Sequence, residues 1–257
     1  MTALLDVHRI SKRFGGLMAL NEVTFKVGTD EVIGLIGPNG AGKTTCFNVV
    51  SGNTSPTSGR ISFDGQNIVG LKPSRIVRMG LSRTYQATSV FPDSTVLENV
   101  MRGAFTRSED SLFGSIIGSP ASGTARNKER AACMEILEQV GIAHVHDHLA
   151  GSLPYGYQRR LGVAIAFASR PKLIMMDEPA AGLNPEESQA MGALIRAMHE
   201  SERASVLIVE HDMRLVMDIC HRIIVLDHGE LIAAGSPDEI RNNPKVIEAY
   251  LGTELVT

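Results

Sequence analysis

The residues best placed for chemistry form the stretch Gly37-Pro38-Asn39-Gly40-Ala41-Gly42-Lys43-Thr44, followed by Thr45. Two glycines, a lysine and a hydroxyl residue at this spacing match the loop that cradles the phosphates of a nucleoside triphosphate. Gly40 and Gly42 let the backbone take conformations that a Cβ would obstruct. Lys43 can reach the β- and γ-phosphates, and the Thr44 hydroxyl can ligate Mg²⁺. A second candidate is Asp177-Glu178, which follows the apolar run Leu173-Ile174-Met175-Met176 directly. Adjacent acids in that position are costly unless matched to a cation. One carboxylate can hold Mg²⁺ while the next polarises an attacking water. The phosphate loop alone implies binding of a triphosphate, and the acidic pair makes hydrolysis the leading reading. Phe14, on a turn beside Gly15, divides evenly between stacking on an adenine ring and filling the core. His211, after another apolar run, reads on its own as a core or rim histidine.

These residues need particular elements to hold them. Glu31 to Ile36 is short, apolar and rich in β-branched residues, which predicts a buried strand leading into the loop. Lys43 to Ser51, stopped by Gly52, predicts a helix after it, so the loop amides and the helix N-terminus together favour anions. Leu173 to Met176 and Ser205 to Val209 predict two more buried strands; ligands bind at the C-terminal ends of such strands in a parallel sheet. Residues 4 to 10 suit an edge strand, and Asn21 to Val27 a strand with Val23, Phe25 and Val27 on one face, joined by a turn at 12–16. Together these predict an antiparallel sheet beside the nucleotide core.

Farther along, Arg60 to Phe63 reads as a strand, Pro73 to Met79 as a short helix and Leu81 to Tyr85 as a strand ending at Gln86. Thr95 and Glu98 fit a capping box that opens a helix at about Val96. From Gly103 to Lys128 the pattern dissolves into Ser, Gly, Thr and Arg, as in a long loop or weakly ordered lobe, until Glu129 to Val140 restores a helix. His144-Val145-His146-Asp147-His148 follows a helix stop without a second ligand cluster and reads as a solvated connector rather than a metal site. Gln158 to Ser169 predicts a buried helix. Asn184-Pro185-Glu186-Glu187 starts another, Ile223 to Ala233 a hairpin, and Ser236 and Asn243 two terminal helices.

The composition, with 257 residues, 43% hydrophobic and 21% charged, is that of a globular chain able to bury one full core. A net charge of −3 gives no nucleic-acid footprint. Cys46, Cys133 and Cys220 are odd in number and lack C-x-x-C spacing, which argues against a disulfide framework or zinc site and for a reducing compartment. No stretch approaches the ~18 apolar residues of a membrane span, so membrane association must come through a partner.

Taken together, the phosphate loop, Gln86 after a strand, Leu153-Pro154-Tyr155-Gly156-Tyr157, the acidic pair, Ala181-Gly182-Leu183-Asn184 and His211 stand in the order of the ATP-binding cassette ATPases, which the chain resembles from about residue 4 onward. The resemblance implies an α/β P-loop fold with a mixed parallel core sheet, an antiparallel β-subdomain and an inserted helical subdomain. The core would span 1–89 and 169–257, and the insertion 90–168. It also implies ATP and Mg²⁺ as ligands, adenine stacking by Phe14, a γ-phosphate and metal contact by Gln86, metal binding by Thr44 and Asp177, Glu178 as general base and His211 on the γ-phosphate. More narrowly, Arg13 to Leu17, Tyr155 to Leu161, Met176 to Pro185, Glu210 to Met213 and the C-terminal Ala-Tyr-Leu-Gly look like the ATPase subunits of branched-chain amino acid importers. Such subunits imply two integral membrane permease subunits, a second ATPase subunit, a periplasmic solute-binding protein and a place on the cytoplasmic face of the inner membrane, with no nucleic-acid partner. Importers of amides or aromatic acids share much of this text.

One departure stands out. The family signature usually reads Leu-Ser-Gly-Gly-Gln, with serine and glycines against the γ-phosphate held by the opposite subunit. Here Pro154 supplies neither hydroxyl nor amide hydrogen, and Tyr155 puts bulk where glycine is usual. The implied consequence is two unequal composite ATP sites, which favours a heterodimer. The same departure leaves open a regulatory subunit with little turnover. A soluble cassette acting on nucleic acid would ordinarily bring coiled coils or a second cassette, and neither heptads nor an internal repeat is present.

Overall fold

The computed structural model describes residues 3–84, 90–105 and 120–254. Two sheets organise it. The antiparallel sheet contains β1 (Leu5–Phe14), β2 (Leu17–Val27), β4 (Ser58–Phe63) and β5 (Gln66–Asn67) in the order β2-β1-β4-β5. The second is six-stranded: β3 (Val32–Ile36), β6 (Leu81–Arg83), β7 (Leu173–Asp177), β8 (Ser205–Val209), β9 (Arg222–Asp227) and β10 (Glu230–Gly235) in the order β10-β9-β3-β8-β7-β6. Only the β9–β10 hairpin is antiparallel there; its neighbours run parallel. Every residue of β3, β7 and β8 is buried, which is why these strands read as unbroken apolar runs rather than as alternations.

The register brings the chemistry to one edge. Leu35 lies opposite Val209 and Ile224, while Asp177 lies opposite Val209. The residues that follow these strands, Gly37, Glu178 and Glu210-His211, therefore leave the sheet side by side, at the C-terminal ends where parallel sheets bind ligands.

The helices α1 (Lys43–Val50) and α2 (Pro73–Arg78) follow the phosphate loop and β5. Next come α3 (Val96–Phe105), α4 (Pro120–Gln139) and α5 (Tyr155–Ala168), which pack on one another. Their apolar residues, among them Val100, Leu137, Leu161 and Phe167, join one core with those on a face of the large sheet, including Ile174, Met176 and Ile208. A second core lies between the two sheets, around Phe47, Phe63 and Leu207. α6 (Pro185–Glu202), α7 (Met213–Ile219), α8 (Pro237–Arg241) and α9 (Pro244–Glu254) complete the chain. Among the described residues, no helix is long and apolar enough to cross a membrane.

Three expectations are corrected. The strand expected at 4–10 is interior, paired with β2 on one side and β4 on the other. Its poor alternation comes from bulges, with Arg9 at φ 47°, and not from an exposed edge. The turn expected at 12–16 is only Gly15-Gly16, because Lys12 to Phe14 still pair with β2. In the stretch expected to be a loop from Gly103 to Lys128, helix α4 already begins at Pro120. The capping box holds: Thr95 Oγ1 accepts from Glu98 N at 3.1 Å, and Glu98 Oε2 accepts from Thr95 N at 2.9 Å. His146 Nδ1 turns to its own connector at Ala143 O, 3.0 Å away, and no group of three or more His, Cys, Asp or Glu among the described residues is arranged to hold a metal.

Candidate functional site

The phosphate loop is shaped by the strands beneath it. A Cβ on Gly37, whose φ is 151°, would stand 2.0 Å from Leu226 O of β9, so only glycine lets the loop leave β3 so close to its neighbour. Gly42 caps α1 at φ 99°, and a Cβ there would meet Ala19 O at 2.7 Å. The outer hairpin clasps the loop as well, since Gly229 N donates to Ala41 O at 3.0 Å. No side chain caps α1, which leaves its first amides to a ligand. Lys43 is buried, and its Nζ donates to Gly37 O at 2.7 Å and Pro38 O at 2.9 Å. Burial lowers the Lys43 pKa, and the nearby Glu178 carboxylate opposes that shift.

One cleft of about 590 Å³ gathers Asn39, Gly40, Ala41, Gly42, Lys43, Thr44 and Thr45 with Phe14, Glu178 and His211. Phe14 is 49% exposed, so the core-filling alternative falls; its ring faces the cleft, with Lys12 Nζ 4.9 Å from the ring centre. Leu17, Met18 and His228 share the lining and were not singled out from the sequence. Glu178 sits at φ 50°, an uncommon conformation for a non-glycine residue, with its N–H on Val209 O at 2.9 Å. That twist turns its side chain to His211, whose Nε2 lies 2.6 Å from Glu178 Oε1. Gln86 lies outside the described residues.

Asp177 is the other half of the acidic pair, and its Oδ2 accepts from Arg83 Nη2 at 2.8 Å, both side chains being 8% exposed. Arg83 Nη1 also holds Asn48 Oδ1 at 2.7 Å and Ser51 Oγ at 3.1 Å, which ties the end of β6 to α1 and β7. This is the cation that the apolar run before Asp177 demanded. Asp177 and the exposed hydroxyl of Thr44 are oxygen donors of the kind Mg²⁺ takes, and a site completed by substrate phosphates rather than a closed protein cage suits that ion.

Sequence reasoning also passed over Glu210 and Tyr250. Glu210 is a carboxylate straight after the apolar strand β8, the same signal that singled out Asp177. It is 3% exposed, and its Oε1 accepts from Ala180 N at 2.7 Å. The Tyr250 hydroxyl, on α9, meets the backbone of Gly37, and burial raises its pKa.

In the altered signature, Pro154 caps α5 without a side-chain bond. The Tyr155 hydroxyl donates to Ala181 O at 2.9 Å, Arg159 Nη2 donates to the same oxygen at 3.0 Å and also to the Tyr155 hydroxyl. Sequence reasoning placed Tyr155 against another chain's phosphate; the structure shows its hydroxyl on Ala181, in its own chain's loop between β7 and α6.

The ABC transporter family profile matches residues 20–181, and the profile for branched-chain amino acid ATP-binding cassette transporters matches 230–256. The chain is 41% identical over 249 residues to the high-affinity branched-chain amino acid transport ATP-binding proteins BraF of Pseudomonas aeruginosa and LivG of Escherichia coli. Each alignment covers 97% of this chain and 98% of the relative. An ATP-binding cassette of an ABC transporter in its ADP conformation superposes with a TM-score of 0.84 at 29% identity, covering 98% of this chain and 100% of that one. The chain belongs to the ABC transporter family, as one of its ATP-binding cassette ATPases.

Proposed function

We propose that this chain is the ATP-hydrolysing subunit of an importer for branched-chain or related amino acids. The observation that carries the reading is the single cleft in which the phosphate loop and Phe14 face the Glu178–His211 pair, 2.6 Å apart. The loop amides, Lys43 and the first turn of α1 bind the triphosphate and receive the charge that develops on the transferred phosphoryl group. Phe14 stacks on the base. Glu178 accepts the proton of the attacking water, and His211 both orients that carboxylate and meets the γ-phosphate. Thr44, Asp177 and Gln86 are the residues that would hold Mg²⁺, which would supply positive charge against the phosphates. Arg83 holds Asp177 through its Oδ2.

The branched-chain substrate class rests on the two relatives' names and on the C-terminal match. The helical segment 90–168 acts as an inserted lobe, with 1–89 and 169–257 as the nucleotide core. The cleft where Val77, Leu81 and Thr84 meet Gly103, Ile165 and Ala166 is mainly apolar and lies along β6, and is the place for the membrane subunits to dock. Two such permease subunits, a second ATPase subunit and, indirectly, a periplasmic solute-binding protein complete the machine, and docking holds the chain at the cytoplasmic face of the inner membrane. Pro154 and Tyr155 favour a heterodimer, because a homodimer would carry the altered signature at both ATP sites.

The test is the purified transporter in proteoliposomes with leucine, isoleucine and valine as solutes. Glu178→Gln should retain ATP binding, lower hydrolysis roughly 10²- to 10⁴-fold and abolish uptake. Hydrolysis at the wild-type rate in that variant overturns the catalytic reading, and coupled uptake of other solutes only overturns the substrate class.

A further inference from the structure

Glu210 is a buried carboxylate without a part in the chemistry above. Its Oε1 accepts from Ala180 N at 2.7 Å, its Oε2 accepts from His211 N at 3.1 Å, and the backbone of Asp212 also bonds to it. Despite these bonds, burial raises its pKa, with the Glu178 charge adding to the rise. Burial thus disfavours the charged form of a carboxyl whose two oxygens both serve as acceptors for backbone N–H groups.

What it holds is more telling. Ala180 and Ala181 begin the loop that runs from Glu178 to α6. Ala180 offers its N–H to Glu210, and Ala181 offers its carbonyl to the Tyr155 hydroxyl and Arg159 at the start of α5. Two successive residues are thereby held by two different segments, one following β8 and one at the start of α5. The same Glu210 grips the backbone of His211, whose ring is bonded to Glu178. A continuous set of bonds runs from the signature helix through the loop to the pair that handles water. Both carboxylate oxygens are committed as acceptors, so a glutamine would turn an NH₂ group toward a backbone N–H, and an aspartate is one methylene too short to span both.

We infer that Glu210 is a positioning residue that couples the Tyr155–Arg159 turn, through Ala180-Ala181, to the orientation of His211 and Glu178. A shift of α5, the element that meets the opposite subunit's nucleotide, then alters the geometry of this chain's own hydrolytic pair. The inference rests on the ATPase reading above.

In the assembled transporter, Glu210→Gln should lower kcat on the order of tenfold while leaving the KM for ATP within about twofold, since a small misplacement of a catalytic group acts on the chemical step. Tyr155→Phe, at a half-exposed site that tolerates the change, should lower kcat less, and the double variant should be no slower than Glu210→Gln alone. The second reading is the imidazole NMR resonance of His211 in the full chain, assigned by its loss in His211→Asn. Tyr155→Phe should move it although Tyr155 does not touch His211, and this measurement stands even if Glu210→Gln does not fold. An unmoved His211 resonance, wild-type kcat in Glu210→Gln, or additive losses in the double variant overturn the coupling. If the wild-type transporter fails to hydrolyse ATP, or Glu178→Gln hydrolyses it normally, the ATPase reading itself falls, which is a separate outcome.

Discussion

The nucleotide edge, where the phosphate loop and Glu178 leave the large sheet, and the signature turn at Pro154-Tyr155 are built differently. At the nucleotide edge, three fully buried strands deliver the functional residues, backbone contacts set the loop, and Asp177 is paired inside the protein at 8% exposure. At the signature turn, Pro154 caps its helix without a side-chain bond, Tyr155 is 42% exposed, and two side-chain donors on one carbonyl hold the turn in place. The first is preorganised by the core. The second is held by side-chain hydrogen bonds at an exposed site.

If that contrast is real, the largest effect should come from breaking the nucleotide edge from within. Arg83→Met removes the partner of a buried carboxylate together with the ties to Asn48 and Ser51, and leaves Asp177 uncompensated. Breaking such a pair costs about 3–5 kcal/mol. Urea unfolding of the full chain should show that loss in the midpoint with little change in slope. A loss under ~1 kcal/mol would mean that Asp177 is solvated and that the edge is no more rigid than the signature turn.

The next effect is smaller and lies between the two regions. Asn184 Oδ1 accepts from Glu187 N at 2.9 Å, and Glu187 Oε2 accepts from Asn184 N at 3.0 Å, which closes a capping box where the loop from β7 enters α6. Asn184→Ala should cost ~1 kcal/mol in the same unfolding measurement. It should also raise hydrogen exchange in the first turn of α6 more than in α1.

Local physics made much of this legible. The phosphate loop is a motif because its chemistry is contained in eight consecutive residues, and β3, β7 and β8 were readable because burial on both faces leaves no polar interruption. The α6 cap was readable because its partners lie three residues apart. What stayed hidden depended on neighbours remote in sequence. Arg83 and Asp177 meet only because β6 and β7 pair, 94 residues apart, and nothing in either segment announces that pairing. The bulges of β1 mimicked an edge strand, and Pro120 to Lys128, poor in apolar residues, looked like loop although its backbone is helical. Glu210 is a different case: its signal, an acid after four apolar residues, is the same one that marks Asp177.

The smallest effect is the most discriminating, and it belongs to the signature turn. Pro154→Ser gives α5 a side-chain oxygen able to accept from a first-turn amide, since no side chain caps the helix and residue 154 already has the extended backbone of an N-cap, φ −55° and ψ 150°. Such a cap stabilises by about 0.5–2 kcal/mol. Loss of the proline frees the unfolded chain and costs about 0.4–1 kcal/mol. The two terms nearly cancel, so unfolding should shift by less than ~1 kcal/mol in either direction. Hydrolysis at the opposite subunit's site should rise about two- to threefold, because a hydroxyl and an amide hydrogen return to the place that faces the γ-phosphate. Single-turnover hydrolysis in a transporter whose own Glu178 is replaced by Gln isolates that opposite site. A gain there with stability unchanged would mark the turn as tuned for activity rather than for the fold. A stability loss above ~2 kcal/mol would instead show that Pro154 locks the turn as firmly as Gly37 locks the phosphate loop, and the contrast between the two regions would not survive.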